Sequence, residues 1–153
     1  MNMHKITRVA GREFASTAMT KGFIIGALVV PALMAALIPL IVILSAAESE
    51  LACLVAAQHQ LVERHGDGQP ALRLASLLQL GPNMSVDLYA ETVLEPAKLI
   101  IIRLLGGASY WPYGLDQVLA IARRTGAMLA VLPGDDQPDP VLSDYCTLAA
   151  GDC

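Results

Sequence analysis

Three short apolar runs, rich in branched side chains, constrain the fold of this 153-residue chain more than any other feature. They are LRLASLL (72–78), KLIIIRLL (98–105) and AMLAVL (127–132), and helical patterns at 85–95 and 115–125 separate them. Strands that alternate with helices pair in parallel, because each crossover returns the chain to the same end of the sheet. The pattern therefore predicts an α/β domain with helices on both faces of a parallel sheet.

A fourth candidate strand, LIVIL (40–44), precedes these three runs. If it is the first strand, the element order becomes βαβαβαβ, a four-stranded parallel sheet of flavodoxin-like or Rossmann-like shape. We therefore predict an α/β domain over residues 40–153. The same five residues could instead form the end of a membrane helix. They cannot belong to both elements.

The competing reading starts from an uncharged apolar run over residues 22–44. As one helix this run would be about 34 Å long, against a hydrocarbon core of about 30 Å. Pro39 favours dividing the run, because the residue before a proline disfavours helical geometry. We expect a transmembrane helix over residues 22–39, with Phe23, Pro31 and Pro39 as its membrane residues, followed by the sheet.

The segment before this run, residues 1–21, has apolar residues at roughly helical spacing and basic residues on the other side. It predicts a basic amphipathic helix at a membrane surface. Because positive charge tends to stay on the cytoplasmic side, we expect a single-pass anchor with a cytoplasmic amino terminus. A secretory signal peptide cleaved near Ala47 is the alternative.

Charge excludes one class of partner. All but one of the 14 Asp/Glu residues follow residue 44, and the only adjacent cations there are Arg123 and Arg124. Nucleic-acid binding needs clustered cations, so we expect no nucleic-acid partner. The three cysteines and three histidines form no CxxC or HxxxH pattern, so their spacing predicts neither a zinc site nor a disulfide framework.

The first helix of the α/β domain carries its own boundary residues. Ser45 and Glu48 have the spacing of a capping box, in which the serine caps the helix and the glutamate reaches back to it. Gly66 supplies a positive-φ stop. The apolar residues between these limits share one face, which predicts an amphipathic helix that packs on the sheet.

Three loops follow the carboxyl ends of predicted strands, at 79–85, 106–114 and 133–140. In a parallel sheet such loops line one crevice, where ligands usually bind. Gly106 and Gly107 allow a tight turn and a close approach of the backbone to a ligand. The three loops together predict a binding site at the carboxyl edge.

The second of these loops contains the only tryptophan and two of the four tyrosines. Trp111, Tyr110 and Tyr113 would stack on a flat ring ligand, and Arg103 would neutralise a ligand carboxylate. The alternative is that Trp111 fills the sheet edge and that Arg103 pairs with a nearby acid. No nucleophile–base pair is evident.

The third loop is acidic, with Asp135, Asp136 and Asp139 close in sequence. These carboxylates are weak candidates for a hard cation, but the neighbouring glycine and prolines favour an ordinary turn. The sequence therefore defines no metal site, and Asp135 and Asp136 are its only candidates for one.

The amino-terminal segment, REF followed by TKGF and an apolar helix, resembles the start of type-two ABC exporter permeases over about residues 1–44. That resemblance implies a membrane-transport origin for the segment. The rest of the chain does not fit it, because its apolar runs follow the rules of a water-exposed α/β domain.

A second resemblance lies in LRLASLLQLGPNMSVDLY, IIIRLLGGASYWPYGLDQV and AVLPGDDQPDP. Together they resemble the amino-terminal region of the large, CobN-type subunit of aerobic cobaltochelatase, over about residues 41–148. The resemblance implies a part in ATP-dependent cobalt insertion into a corrin-ring precursor in cobalamin synthesis, in the cytoplasm. It also implies smaller ATPase-type subunits as partners, and ATP, magnesium and cobalt for the whole complex.

The departures from that family limit the expectation. Its members are several-fold longer, and no GxxxxGK[ST] phosphate loop occurs anywhere in this sequence. We therefore expect a shortened large-subunit domain that binds the tetrapyrrole through Gly106, Gly107, Arg103 and the aromatic loop, without catalysis of its own. A permease fragment and a fusion product without function are the alternatives.

Overall fold

Strands and helices alternate along the described part of the protein. The computed structural model describes residues 39–66 and 68–148, which belong to one compact unit, Pro39–Cys153. The elements are β1 (Leu40–Ser45), α1 (Glu48–His65), β2 (Ala71–Ser76), α2 (Asn83–Tyr89), β3 (Leu99–Leu104), α3 (Pro112–Thr125), β4 (Met128–Pro133) and α4 (Pro140–Ser143). A π-helical turn at Ala90–Leu94 continues α2, and short 3₁₀ turns lie at Leu77–Leu80 and Ala108–Tyr110.

The four strands form one parallel sheet in the order β2-β1-β3-β4. In register, Ile43 pairs with Leu74 on one side and with Ile101 on the other, and Ile101 pairs with Ala130. This order is the flavodoxin-like one, in which the connections change direction between β1 and β3. The predicted α/β fold with four parallel strands is confirmed, and the stretch LIVIL belongs to strand β1.

The two faces of the sheet are packed differently. Side chains of the face that we call the covered face are at most 2% exposed: Val42, Leu44, Ile100, Ile102, Leu104, Leu129 and Val131. They join one buried cluster with apolar residues of α2, the π-helical turn and α3. Right-handed crossovers place these helices together on one side of the sheet and α1 on the other.

The opposite side, which we call the open face, is only partly shielded. Apart from Ala130, which is 7% exposed, its apolar side chains are partly or well exposed: Ile41, Ile43, Leu72, Leu74, Leu99, Ile101, Met128 and Leu132. Helix α1 contacts β1 and β2 but has no buried residue. Its amphipathic face therefore shields the sheet without forming a closed second core.

Helix α1 ends where the sequence predicts but begins differently. Gly66 follows its last residue with φ 74°, the positive angle that glycine adopts most easily. The predicted capping box is wrong, because Ser45 is still the last residue of β1 and the N-cap is Ala47, which has no side chain that can cap. Ser45 instead uses its hydroxyl at the sheet edge.

The predictions for the amino-terminal segment lie outside the described residues. This applies to the amphipathic helix over 1–21 and to Phe23 and Pro31 of the predicted transmembrane helix. Pro39 is described, and its carbonyl accepts a hydrogen bond from Ala71 N at 3.0 Å, next to the start of the sheet. Within residues 39–66 and 68–148, no helix has the length and apolar character needed to cross a membrane.

Candidate functional site at the carboxyl edge of the sheet

The three loops that follow β2, β3 and β4 meet at the carboxyl edge. The indole Nε1 of Trp111 donates to the carbonyl of Leu80 at 2.8 Å, which joins the first two loops. Gly134 N donates to the Leu104 carbonyl at 2.6 Å, which ties the third loop to the end of β3. A Cβ built on Gly107 would lie 3.0 Å from Asp139 Oδ2, so the second and third loops also touch.

Trp111 is a packing residue at this edge. It is 5% exposed and belongs to the buried cluster of the covered face. Its ring lies so close to Gly114 that a Cβ built there would be 2.0 Å from the indole Cε2. The absence of a side chain at Gly114 therefore lets the tryptophan sit against helix α3, and its N–H is satisfied by Leu80.

The other predicted aromatic residues are divided by the fold. Tyr110 is 46% exposed and lies beside Gly106, whose φ of 94° with the 73° of Gly107 makes the tight turn that the sequence predicts. Tyr113 donates from its hydroxyl to Asp87 Oδ1 at 2.7 Å, and this hydrogen bond raises the pKa of the Tyr113 phenol. Tyr110 is thus the most exposed of the three rings, and the tetrapyrrole-binding role of the set stays a prediction.

Arg103 lies on the open face, whereas Trp111 packs in the cluster of the covered face. Its Nη1 donates to the Glu50 carboxylate, Nε donates to the Pro133 carbonyl at 3.4 Å, and Nη2 donates to the Gly134 carbonyl at 3.2 Å. The sequence analysis gave two roles for Arg103, and the one observed is that of an arginine at a strand end paired with an acid. The structure does not bring Arg103 and Trp111 into one site.

A crevice surrounds the Arg103–Glu50 pair. Its volume is about 290 Å³, and it is lined by Ser45, Ala47, Ser49, Glu50, Cys53, Arg103, Leu105 and Gly134. Ser45 ends β1 and Arg103 lies near the end of β3, so the crevice opens where the connections change direction. Ligands of flavodoxin-like folds bind at this position of the sheet.

Hydrogen bonds hold the Glu50 carboxylate in its charged form. Ser45 Oγ donates to Glu50 Oε2 at 2.6 Å and also accepts the Ala47 N–H at 3.1 Å. The Ser45 hydroxyl, followed by the hydrogen bond and charge of Arg103, lowers the pKa of Glu50, while partial burial opposes the shift. Arg103 therefore faces a fixed anion at neutral pH.

Sequence reasoning missed Ser45 and Glu50 as partners of Arg103. The capping-box spacing assigned Ser45 to Glu48, but the strand extends through Ser45 and moves the helix start to Glu48. The ion pair joins residues 53 positions apart, so spacing carries no information about it. The one useful observation was that a cation near the end of an apolar strand needs an acceptor.

The acidic loop forms turns and a helix cap. Asp135 Oδ1 accepts the Gln137 N–H at 3.2 Å, and Asp139 Oδ1 accepts the Val141 and Leu142 N–H groups at the start of α4. Asp136 contacts the Gln137 side chain. Among the described residues no group of three or more His, Cys, Asp or Glu side chains is placed to hold a metal ion. The geometry is that of the ordinary turn.

The fold and the crevice define a doubly wound α/β module of the flavodoxin-like class. No protein-family model matches the chain. It is 47% identical over 110 residues to aerobic cobaltochelatase subunit CobN of Pseudomonas aeruginosa and 48% identical over 114 residues to that of Sinorhizobium sp.. These regions cover 72% and 73% of this chain but only 8% of each relative.

A solved structure gives the same relationship. The catalytic subunit of cobaltochelatase from Mycobacterium tuberculosis superimposes with a TM-score of 0.54 and 28% identity, over 74% of this chain and 8% of that one. The chain therefore contains a CobN-like domain, similar to a small region of cobaltochelatase large subunits. The resemblance of residues 1–44 to an exporter permease is not supported by these relatives.

Proposed function

We propose that the CobN-like domain takes part in ATP-dependent insertion of cobalt into a corrin-ring precursor during cobalamin synthesis. The observation that carries the proposal is the 47–48% identity to CobN subunits over 110 and 114 residues. The fold similarity to the Mycobacterium tuberculosis subunit supports it independently of the sequence search. Cobalt is the substrate ion in this reaction.

We further propose that the domain does not catalyse the reaction alone. The sequence contains no phosphate loop, and the described residues hold no cluster of metal ligands. ATP hydrolysis would then belong to smaller ATPase-type subunits, which are the proposed partners. The contribution of this domain would be to bind the ring or to dock those subunits.

Exposure decides which aromatic ring of the loop a tetrapyrrole could contact. Trp111 is buried against Gly114, so its ring face is already in contact with protein. The exposed ring of Tyr110, on the turn formed by Gly106 and Gly107, is the surface on which a macrocycle would stack. Tyr113 would act indirectly, since its hydroxyl bridges to Asp87.

Two measurements on the full chain test the proposal. Calorimetric titration with a metal-free corrin-ring precursor is expected to show saturable binding that Tyr110→Ala weakens by about 1 kcal/mol or more. Size-exclusion chromatography with the smaller subunits is expected to show co-elution. Leu88→Ala, which truncates a side chain that is 63% exposed and lies outside the aromatic loop, is the matched control. A folded chain that binds neither ring nor subunits would overturn the proposal.

Membrane attachment is a separate proposal about residues 1–39. It rests on the uncharged run that begins after Lys21 and on the cations before it. The expected result is that the chain fractionates with membranes and resists alkaline extraction. Release of the intact chain by alkaline carbonate would contradict it without affecting the function proposed for the α/β domain.

A further inference from the structure

We propose that the crevice around Arg103 is a binding site for a carboxylate-bearing ligand, and that Glu50 is an internal carboxylate that the ligand displaces. This inference does not depend on cobalt insertion. The crevice lies on the open face, whereas Trp111 of the aromatic loop packs in the cluster of the covered face. The tetrapyrrole contact proposed above is at Tyr110, which is not among the residues that line the crevice.

Backbone carbonyls orient Arg103 in addition to Glu50. Two of its nitrogens, Nε and Nη2, donate to the carbonyls of Pro133 and Gly134 on the loop after β4. The backbone of that loop is itself fixed, because Gly134 N donates to the Leu104 carbonyl. A guanidinium held by backbone acceptors is oriented before a ligand arrives, which reduces the entropy lost on binding.

Arg103 also has donors to spare. A guanidinium carries five N–H groups, and three of them are used by Glu50, Pro133 and Gly134 in the described part of the chain. The planar fork of arginine matches the two oxygens of a carboxylate. The cation can therefore accept a second carboxylate or exchange Glu50 for it.

A ligand carboxylate could displace the Glu50 carboxylate from Arg103 at little cost. Its Oε2 keeps the hydrogen bond from Ser45 when Oε1 is released, so the displaced carboxylate remains partnered. The side chains of Arg103 and Glu50 are 42% and 26% exposed, and ion pairs with this much solvent contact are weak. Displacement therefore costs little compared with the breaking of a buried pair.

The walls of the crevice fit a ligand with a short apolar part. Leu105 and Ala47 line it beside the ion pair, and Leu105 is 49% exposed. The crevice volume of about 290 Å³ is close to the lower end of the range of small-molecule pockets, about 300–1,000 Å³. Apolar walls with a few convergent polar groups are typical of small-molecule sites.

The test uses glutarate as probe, with the full chain and three substitutions. In Glu50→Gln the like charge beside the bound carboxylate is removed, and we expect glutarate to bind about tenfold more tightly than in the wild type. Arg103→Gln should abolish binding. Glu95→Gln, which removes the acid from the exposed Arg124–Glu95 pair, is the matched control and should bind as the wild type does.

Folding and ligand source are controlled in the same experiment. Thermal unfolding followed by Trp111 fluorescence shows whether each variant is folded, and Arg103→Lys replaces Arg103→Gln if the latter is not. Uroporphyrin, a tetrapyrrole with carboxylate side chains, forms the second arm: binding of uroporphyrin but not glutarate assigns the crevice to macrocycle carboxylates. Absence of saturable binding of both probes to folded Glu50→Gln, or equal binding by wild type and Arg103→Gln, would overturn the proposal.

Discussion

The two faces of the sheet are built from similar branched residues but reach different degrees of burial. Ile102 on the covered face is fully buried, whereas Ile101, its neighbour in the same strand, is partly exposed. Helices α2 and α3 close the covered face into one apolar cluster. On the open face, α1 contacts only β1 and β2 closely and buries none of its own residues.

The two faces therefore differ in their expected contributions to folding stability and to ligand binding. The covered face contributes most of the apolar area removed from water, so it should contribute most of the folding free energy. The open face carries Arg103, Ser45 and the crevice at its carboxyl end. We infer that one side of the sheet holds the domain together and that the other is left accessible for binding.

The largest expected effect compares the neighbouring isoleucines. Ile102→Ala should lower the free energy of unfolding by about 2–5 kcal/mol, because it leaves a cavity in the closed cluster. Ile101→Ala should cost less than about 2 kcal/mol, because part of its side chain already contacts water. Urea unfolding of the full chain, followed by Trp111 fluorescence, measures both. Equal losses would show that the open face is as closely packed as the covered one.

The next effect concerns Gly114 within the covered face. Gly114→Ala places a methyl group 2.0 Å from the Trp111 ring, and relief of that overlap should cost about 1–3 kcal/mol or more. Gly68→Ala is the control, because nothing lies within 4 Å of a Cβ there. The shift in urea midpoint between these two variants is the measurement. No difference between them would mean that the tryptophan moves aside freely.

A smaller effect is expected from Glu50 on the open face, and it should depend on pH. The pKa of Glu50 is lowered from 4.5 in the folded protein, so its contribution to stability is present above that value and is lost as pH falls through the folded pKa. Glu50→Gln should cost about 1 kcal/mol or less at pH 7. The difference between wild type and variant should shrink toward zero at acidic pH. A difference that grows on acidification would contradict the sign of this shift.

The smallest effect is expected at the Arg124–Glu95 pair. These side chains are 63% and 43% exposed, and such pairs contribute about 0–1 kcal/mol. Arg124→Gln should therefore change stability by less than Glu50→Gln does, although both pairs join distant parts of the chain. The two variants are compared by urea unfolding at pH 7 in low and high salt. A larger loss for Arg124→Gln than for Glu50→Gln would contradict the expected order of the two ion pairs.

Local patterns in the sequence predicted much of the fold. The four apolar runs correspond to strands β1 to β4, and the helical pattern at 115–125 lies within α3. Gly66, Gly106 and Gly107 all adopt positive φ, as their positions between elements indicated. Such features depend on a few neighbouring residues and on period, so they are visible without a structure.

The candidate site was predictable only in part. The sequence indicated that the three loops after β2, β3 and β4 would meet, because the ends of parallel strands share one edge. The sequence did not indicate which of the loop side chains lie on the covered face and which on the open face. Trp111 packs into the covered face because Gly114, three positions later, leaves room for its ring, and Arg103 pairs on the open face with Glu50 of helix α1.

By itself, the sequence determined the α/β class, the strands and the turns at glycine, because periodicity and backbone freedom are local properties. Only the tertiary structure decided which side of the sheet is closed, that Trp111 packs instead of facing solvent, and that Ser45 and Glu50 complete the environment of Arg103. These outcomes depend on contacts between residues far apart in the chain, whose distances no local pattern encodes.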